Sequence, residues 1–270
     1  MALIVLKIGG TEGVNPDAIL DDVAEHWKRE QNLVLVHGGS AEATALGEQL
    51  GRPPRFIVSP SGHTSRYTDR ATLEVFIMAV NGKINTLLVE GLRRRGVNAF
   101  GLSGLDGGLL QGTRKEAIQS VENGKRKIIR DDYSGKIERV HVPLLRWLLE
   151  NGYLPLVAPL AVGTQGEALN VDADRAAAQI AAALGADWLI LLTAAPGLLE
   201  RFPDESSLIR ELPFAQISQA HQAAQGRMKK KVLAAEEALS SGVPRVLIAD
   251  GRISNPLQRA LQGEGTLIHL

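Results

Sequence analysis

Short runs of β-branched and leucine residues recur at positions 3–8, 33–36, 97–102, 154–158, 188–192 and 245–249, each of a length suited to a strand buried on both faces. Between most of them lie amphipathic stretches of helical length, at 16–30, 41–50, 72–95, 142–151, 174–184 and 228–240. Strand and helix in alternation predict a mainly parallel sheet covered by helices on both faces, because each parallel crossover needs a helix and each helix must bury its apolar stripe. One segment breaks the pattern. From Gly112 to Val140 the helical period disappears, and Asn123-Gly124 stands between two alternating segments, so an exposed antiparallel β-hairpin insertion is predicted there. No repeat, low-complexity tract or linker rich in proline, glycine and serine divides the 270 residues, which predicts one continuous fold with two halves.

Charge excludes several function classes. Thirty basic and thirty acidic residues cancel, so the global field does not draw the protein to nucleic acid or to an anionic membrane, and 4% aromatic residues are too few for base-stacking platforms. The absence of cysteine removes disulfide frameworks, thiolate nucleophiles and cysteine zinc sites. Met1 leads into Ala2-Leu3-Ile4-Val5-Leu6 and Lys7 with no basic region before the apolar run, the pattern of a first strand rather than a signal peptide. No uninterrupted apolar run reaches the roughly 18 residues of a membrane helix, and a cytoplasmic location is expected.

Two glycine loops carry the first chemical signal. The first strand ends in Lys7-Ile8-Gly9-Gly10 and the second in His37-Gly38-Gly39-Ser40, with a helix soon after each. Such turns let backbone approach a ligand closely and aim amide hydrogens at an anion, for which phosphate is the natural guest. Glycine pairs also end strands for steric reasons alone, and both readings stay open at this point. Neither loop is a Walker sequence; Gly91 and Gly96 have that spacing, but Val97 stands where its lysine belongs.

Five ordered motifs narrow the choice: Lys7-Ile8-Gly9-Gly10, His37-Gly38-Gly39, Gly101-Leu102-Ser103-Gly104, Asn170-Val171-Asp172-Ala173-Asp174 and Gly226-Arg227-Met228-Lys229-Lys230-Lys231-Val232. In order and spacing the chain resembles the acetylglutamate kinase branch of the amino acid kinase family, from its first strand to its C-terminus. The resemblance implies a three-layer sandwich around an open, mainly parallel eight-stranded sheet, with a single domain over residues 1–270. The acceptor would bind in the half formed by about 1–160 and ATP in the half formed by about 161–270. It further implies that Lys7 neutralises charge between acceptor and γ-phosphoryl group, that Lys231 lies toward the β–γ bridging oxygen, and that Asp174 holds both ammonium groups. Lys231 is selected by the family spacing Gly-x-Met-x-x-Lys-Val; by charge alone Lys229, Lys230 and Lys231 form an ordinary solvated run. Backbone amides at Gly9, Gly10, Gly38, Gly39 and Ser40 would cradle phosphoryl oxygens, Arg66 would clamp the acceptor's α-carboxylate, and Asn170 would bind its blocked amino group. Mg2+ would be held by ATP and water, with no metal site in the protein.

Asp172 replaces the usual asparagine, Leu105 interrupts the usual Gly-Lys-Asp-Gly, and Thr193-Ala194-Ala195-Pro196-Gly197 lacks a common acid. Within the branch, Ser65-Arg66-Tyr67-Thr68 and Gly104-Leu105-Asp106-Gly107 look most like the aminoadipate kinases of lysine biosynthesis. Those enzymes act on α-aminoadipate attached to the C-terminal glutamate of a small acidic carrier protein, LysW. The predicted hairpin holds Arg114, Lys115, Lys125, Arg126, Lys127 and Arg130 against Glu116 and Glu122 alone, a basic patch suited to steering an acidic partner. Free acetylglutamate is the alternative acceptor, and a nucleotide sensor, which would need the loops without Lys7, Asp174 and Lys231 together, the alternative class. With no segment before the first strand, the resemblance implies a homodimer without arginine feedback.

Overall fold

The computed structural model of the chain describes residues 2–10, 13–30, 32–58, 64–122 and 125–270, with backbone alone at 121, 122, 125 and 126. In chain order the first part comprises β1 (Ile4–Ile8), α1 (Pro16–Glu30), β2 (Leu33–His37), α2 (Ser40–Gln49), β3 (Phe56–Val58), β4 (Thr64–Arg66), α3 (Arg70–Ile77), a π-helical segment (Met78–Asn85), α4 (Thr86–Arg94) and β5 (Ala99–Ser103). The middle comprises β6 (Leu110–Arg114), β7 (Ile118–Glu122), β8 (Lys125–Ile129), β9 (Gly135–Val140), α5 (Val142–Glu150), β10 (Leu154–Ala158), β11 (Leu160–Val162) and β12 (Ala168–Asn170). The last part comprises α6 (Ala173–Leu184), β13 (Trp188–Thr193), β14 (Glu211–Pro213), α7 (Ile217–Ala223), α8 (Met228–Ser240), β15 (Arg245–Asp250), α9 (Pro256–Leu261) and β16 (Thr266–His269).

Eight strands form one sheet in the order β14-β16-β15-β13-β1-β2-β10-β5, parallel throughout except between β15 and β16. Strands from both halves of the chain thus share one sheet. β1, β2 and β10 bury every residue, including Lys7 and His37, so two polar groups stand at the end of an otherwise apolar layer. The core divides into one cluster on each face of the sheet, with a smaller one under α2 and α3. At full burial each leucine or isoleucine contributes roughly 1.5–3 kcal/mol of hydrophobic transfer, so this central layer dominates the stability. β1 lies between β2 on one side and β13 on the other; chain order reverses there, and in open α/β sheets ligands bind at such a switch point, beyond the carboxyl ends of the strands.

Local chemistry explains the helices nearest that edge. Asp172 caps α6, its Oδ1 accepting the N–H groups of Asp174 and Arg175 at 3.0 and 3.2 Å, and Gly185 closes the helix in the left-handed region at φ 66°. α6 and α8 pack against each other, and both bury alanines in the same core cluster, Ala176, Ala177 and Ala181 from α6 and Ala234, Ala235 and Ala238 from α8. Small side chains let the two helices approach closely, and a bidentate Arg175–Glu237 pair at 2.6 and 3.0 Å fixes their register.

Burial decides how one long helix is read, and two expectations need correction. The helix Arg70–Arg94, 25 residues, is long and apolar enough to cross a membrane by length and composition. Glu74, Asn81, Lys83, Asn85 and Glu90 interrupt it, and Leu73, Phe76, Val80, Leu88 and Leu92 bury one face in the core, so it is a core helix. The insertion at 112–140 is two nested antiparallel pairs. Its outer pair, β6 with β9, joins a second sheet and buries Leu110 and Ile137; only β7 with β8 projects as a hairpin, Glu122 pairing with Lys125, and the turn at 123–124 lies outside the described residues. The strand expected at 97–102 starts at Ala99, because the N–H of Val97 is still donated to Leu92 at the end of α4.

Candidate active site

Lys7 is the fourth residue of β1, paired with Val36 of β2 and Leu191 of β13, and its side chain reaches the carboxyl edge. There its Nζ lies 2.8 Å from Oδ1 of Asp174, in the first turn of α6. Lys231, in the first turn of α8, places Nζ 3.0 Å from Oδ2 of the same carboxylate. The three residues are 5, 7 and 7% exposed, so two ammonium groups share one buried carboxylate. Burial opposes ionisation of Asp174, but Lys231 and Lys7 together outweigh it and hold the carboxyl well below the usual range. Burial and the neighbouring Lys7 draw Lys231 down to about 8, with Asp174 working against them. The site therefore concentrates positive charge out of water at the switch point of the sheet.

The adjacent Lys230 points elsewhere. Its side chain is 47% exposed and meets Asp172 at 3.3 Å, so of the lysine run it is Lys231 that faces Asp174.

The glycine loops touch one another. A Cβ on Gly10 would come within 2.3 Å of the Gly39 nitrogen, and one on Gly38 within 2.9 Å of the Gly10 nitrogen, so both positions require glycine for backbone-to-backbone approach. A Cβ on Gly39 would meet Val80 at 2.6 Å, and one on Gly9 the Leu192 carbonyl at 3.0 Å. Steric necessity and anion binding thus coexist here. One expectation fails: the N–H of Gly38 is donated to the Ile8 carbonyl at 3.0 Å and is not presented to a ligand. Gly39 is the N-cap of α2 and Ser40 its first helical residue, where N–H groups have no intrahelical partner.

Arg66, at the end of β4, is buried and donates from Nη2 to Ser40 O, Ser40 Oγ and Thr44 Oγ1 at 3.0, 3.3 and 2.8 Å, with its guanidinium over the Phe56 ring at 5.2 Å. Those partners are neutral oxygens at the start of α2, which places the guanidinium beside the second glycine loop rather than in a surface ion pair. Asn170, at the end of β12, donates from Nδ2 to Thr68 Oγ1 at 3.0 Å, and Thr68 Oγ1 donates to the Arg66 carbonyl at 3.2 Å. Arg66 and Asn170 are therefore joined through Thr68, which the sequence showed only as a member of the 65–68 motif, because a threonine carries no charge to mark its role.

Asp132 was missed for a different reason. It is fully buried at the base of the hairpin and accepts the N–H of Thr68 at 2.8 Å and of Ser134 at 2.7 Å, while the Tyr67 hydroxyl donates to Asp131 at 2.5 Å. Burial, then Asp131, pushes the Tyr67 phenol up to about 12. The hairpin base is thus bonded to the 65–68 segment, a contact between residues 64 positions apart that spacing alone does not reveal. Of the expected basic patch, Lys115, Lys127 and Arg130 are exposed, and the side chains of Lys125 and Arg126 lie outside the described residues. Arg114 leaves the patch. Its guanidinium donates to the carbonyls of Asp132 and Arg130 at 2.8 and 3.2 Å and covers the Tyr133 ring at 3.8 Å, so it braces the loop.

The chain matches the profile of the amino acid kinase family over residues 2–250. It is 53% identical over 266 residues to the [LysW]-aminoadipate kinase of Deinococcus radiodurans, covering 98% of this chain and 91% of that one. It is 51% identical to the [LysW]-aminoadipate kinase of Thermus thermophilus, over 98% and 100%. An acetylglutamate kinase of Methanopyrus kandleri is 36% identical over 98% and 99%. Among solved structures, N-acetylglutamate synthase of Neisseria gonorrhoeae superposes with a TM-score of 0.80 at 25% identity, over all of this chain and 59% of that one. Carbamate kinase of Giardia shares the fold at a TM-score of 0.67, with 17% identity over 99% and 98%.

Proposed function

Because the chain belongs to the amino acid kinase family, we propose that it transfers the γ-phosphoryl group of ATP to the side-chain carboxylate of α-aminoadipate borne on a LysW-type carrier protein, in lysine biosynthesis. The observation that carries this reading is the buried Lys7–Asp174–Lys231 arrangement at the carboxyl edge of the sheet. The acceptor carboxylate, with an ordinary pKa of about 4.3, is ionised at neutral pH, so no general base is required. One of its oxygens bonds to the γ-phosphorus as the bond from that phosphorus to the β–γ bridging oxygen breaks, giving an acyl phosphate and ADP with no proton transferred.

The difficulty is the meeting of two anions, and the site answers it with fixed cations. Lys7 stands on the acceptor side, Lys231 on the leaving-group side, and Asp174 keeps both ammonium groups aimed without solvent rearrangement. Gly9, Gly10, Gly39 and Ser40 supply amides for the phosphoryl oxygens. Arg66 receives the α-carboxylate of the acceptor and Asn170, reaching in from the other half, its acylated nitrogen; the acceptor binds mainly in the half formed by about residues 1–160 and ATP in the half formed by about 161–270. Mg2+ enters as part of the substrate Mg·ATP; both oxygens of Asp174 already face ammonium groups, so the carboxylate is not offered to a metal. The exposed Lys115, Lys127 and Arg130 face the acidic carrier, and the bonding of the hairpin base to the 65–68 segment keeps that surface in register with the acceptor site. A second copy of the chain would pack at the open edge of the main sheet, where β5 exposes Phe100 beside Tyr153 and Trp147.

Trapping the acyl phosphate with hydroxylamine while following ADP release tests the reading. With carrier-bound aminoadipate, kcat/KM should exceed that with free acetylglutamate by about 10²-fold or more. Equal or faster turnover of acetylglutamate would transfer the chain to the other branch of the family.

A further inference from the structure

The strand that carries the second glycine loop ends in a histidine for which the phosphoryl-transfer scheme has no use. His37 is 1% exposed, and its Nδ1 lies 2.9 Å from the carbonyl oxygen of Gly38. Its Nε2 lies 3.1 Å from Nδ2 of Asn85, the last residue of the π-helical segment and itself 5% exposed. The orientation of the asparagine is fixed independently, because the same Nδ2 donates to the Leu156 carbonyl at 3.0 Å and must be the amide nitrogen. Asn85 therefore offers His37 a donor. A ring that accepts at Nε2 carries its proton on Nδ1, which is left to donate to Gly38. Burial, with Lys7 close by, brings the ring down to about 4, so it stays neutral in the working range. Gly101 makes room for this network, since a Cβ there would come within 2.2 Å of Asn85 Oδ1.

The Gly38–Gly39 peptide is trans and planar, so fixing its carbonyl on one side fixes its N–H on the other. Gly10 presses on the same peptide, and Gly39 caps α2 with no side chain of its own to hold it. A peptide between two glycines is otherwise free to turn over, because neither residue restricts φ and ψ. We infer that His37, braced by Asn85, is a positioning residue that locks the Gly38–Gly39 peptide with the Gly39 N–H turned toward the transferring phosphoryl group. The inference rests on assigning this loop to that group, as proposed above. The histidine acts only through the backbone, supplying a donor already aimed at developing charge, and never touches the reacting atoms.

His37→Leu, which preserves bulk but removes the donor, should lower kcat about 10- to 10²-fold, less than or equal to the loss typical of deleting one such donor outright. The KM values for ATP and acceptor should stay within about threefold. His37→Asn, whose amide nitrogen can take the place of Nδ1–H, should recover most of the rate. Inhibition by ADP with aluminium fluoride, which imitates the phosphoryl group in transfer, should weaken in step with kcat in the leucine variant, while ADP alone binds as before. A folded His37→Leu protein with normal kcat, or a folded His37→Asn protein as slow as the leucine variant, overturns the inference. Should the leucine variant not fold, ¹⁵N NMR of the histidines in the unaltered enzyme decides. A proton on Nδ1 of His37, unchanged from about pH 6 to 9, supports the network; a proton on Nε2, or a ring that titrates in that range, overturns it. The NMR arm needs no turnover, so its failure is distinguishable from failure of the kinase reading.

Discussion

Asp174→Asn keeps the shape of the side chain and removes the charge that two buried ammonium groups face. At 2.8 and 3.0 Å the two attractions are worth about 6 and about 5.5 kcal/mol at an effective dielectric of ~20, before any relaxation. Lys231 already sits near 8 against an ordinary 10.5, with Asp174 the main force holding its proton. If only a third of its 5.5 kcal/mol survives relaxation, losing the carboxylate lowers that value by at least about one pH unit, at 1.36 kcal/mol per unit. In the parent enzyme kcat/KM for ATP should therefore decline above about pH 8, as Lys231 loses its charge in the free protein. In Asp174→Asn the maximum should fall about 10²-fold and the alkaline limb should move down by at least about one unit. The stability signs separate the two groups. The Asp174 carboxyl is held below its unfolded value, so its contribution is complete above about pH 4 and is lost only in acid. Lys231 is held below its unfolded value as a base, so between about 8 and 10.5 the unfolded chain binds more protons and stability rises with pH while activity falls. An initial-rate series from pH 6 to 10, paired with thermal melts, checks both. An alkaline limb at the same pH in parent and variant would refute the coupling of Asp174 to Lys231.

Lys7→Ala and Lys231→Ala should each lower kcat by about 10²-fold or more, whereas Lys230→Ala, which loses only a half-exposed pair with Asp172, should stay within about threefold; steady-state rates on folded protein check this. Arg66→Ala should raise the acceptor KM and leave the ATP KM unchanged; an unchanged acceptor KM would remove Arg66 from the acceptor site. Reversing Lys115, Lys127 and Arg130 to glutamate should slow phosphorylation of the carrier-bound substrate through kcat/KM. Because exposed charges are screened beyond a Debye length of about 8 Å at physiological salt, that loss should shrink as salt is added, and equal rates in both proteins at low salt would discard the patch.

What the chain revealed about its own fold follows from how strongly each segment is buried. Of the six strand runs legible in the sequence, five form the sheet interior, where both faces are apolar and nearly every residue is β-branched or leucine, and the sixth, β5, lies at the edge beside β10. The two that escaped, β14 and β16, lie at the far edge of the sheet. β14 buries only Leu212 of three residues, and β16 alternates Thr266 and Ile268 inward with half-exposed neighbours over four residues, too short for a period to register. The hairpin was legible through Asn-Gly turn chemistry, but the outer pair that carries it into a second sheet was not. That pairing is set by Leu110 and Ile137, packed against β11 and α6, a tertiary contact with no local signature.

At the site, chemistry that is scarce was easy to see and chemistry that is common was not. Lys7, Asp174 and Lys231 were legible together through the family resemblance; in the fold a lysine inside an apolar strand, costly to bury without a counter-charge, meets one because α6 and α8 bring Asp174 and Lys231 to it. His37, Asn85, Thr68 and Asp132 are equally buried, yet their meaning lies in partners brought from far along the chain: Asn85 for the His37 ring, the Leu156 carbonyl for Asn85, the Thr68 amide for Asp132. The glycines show the limit most sharply. Read along the sequence, Gly10 and Gly38 are two separate loops inviting an anion; in the fold they are one contact, each glycine there because the other is. The same close approach that excludes a side chain also brings two strand ends, with Lys7 between them and β13, to a single point. Packing and phosphate binding are therefore not rival explanations of these residues, and a substitution at Gly10 should damage both together, since the atoms a new Cβ would strike are the backbone of the other loop.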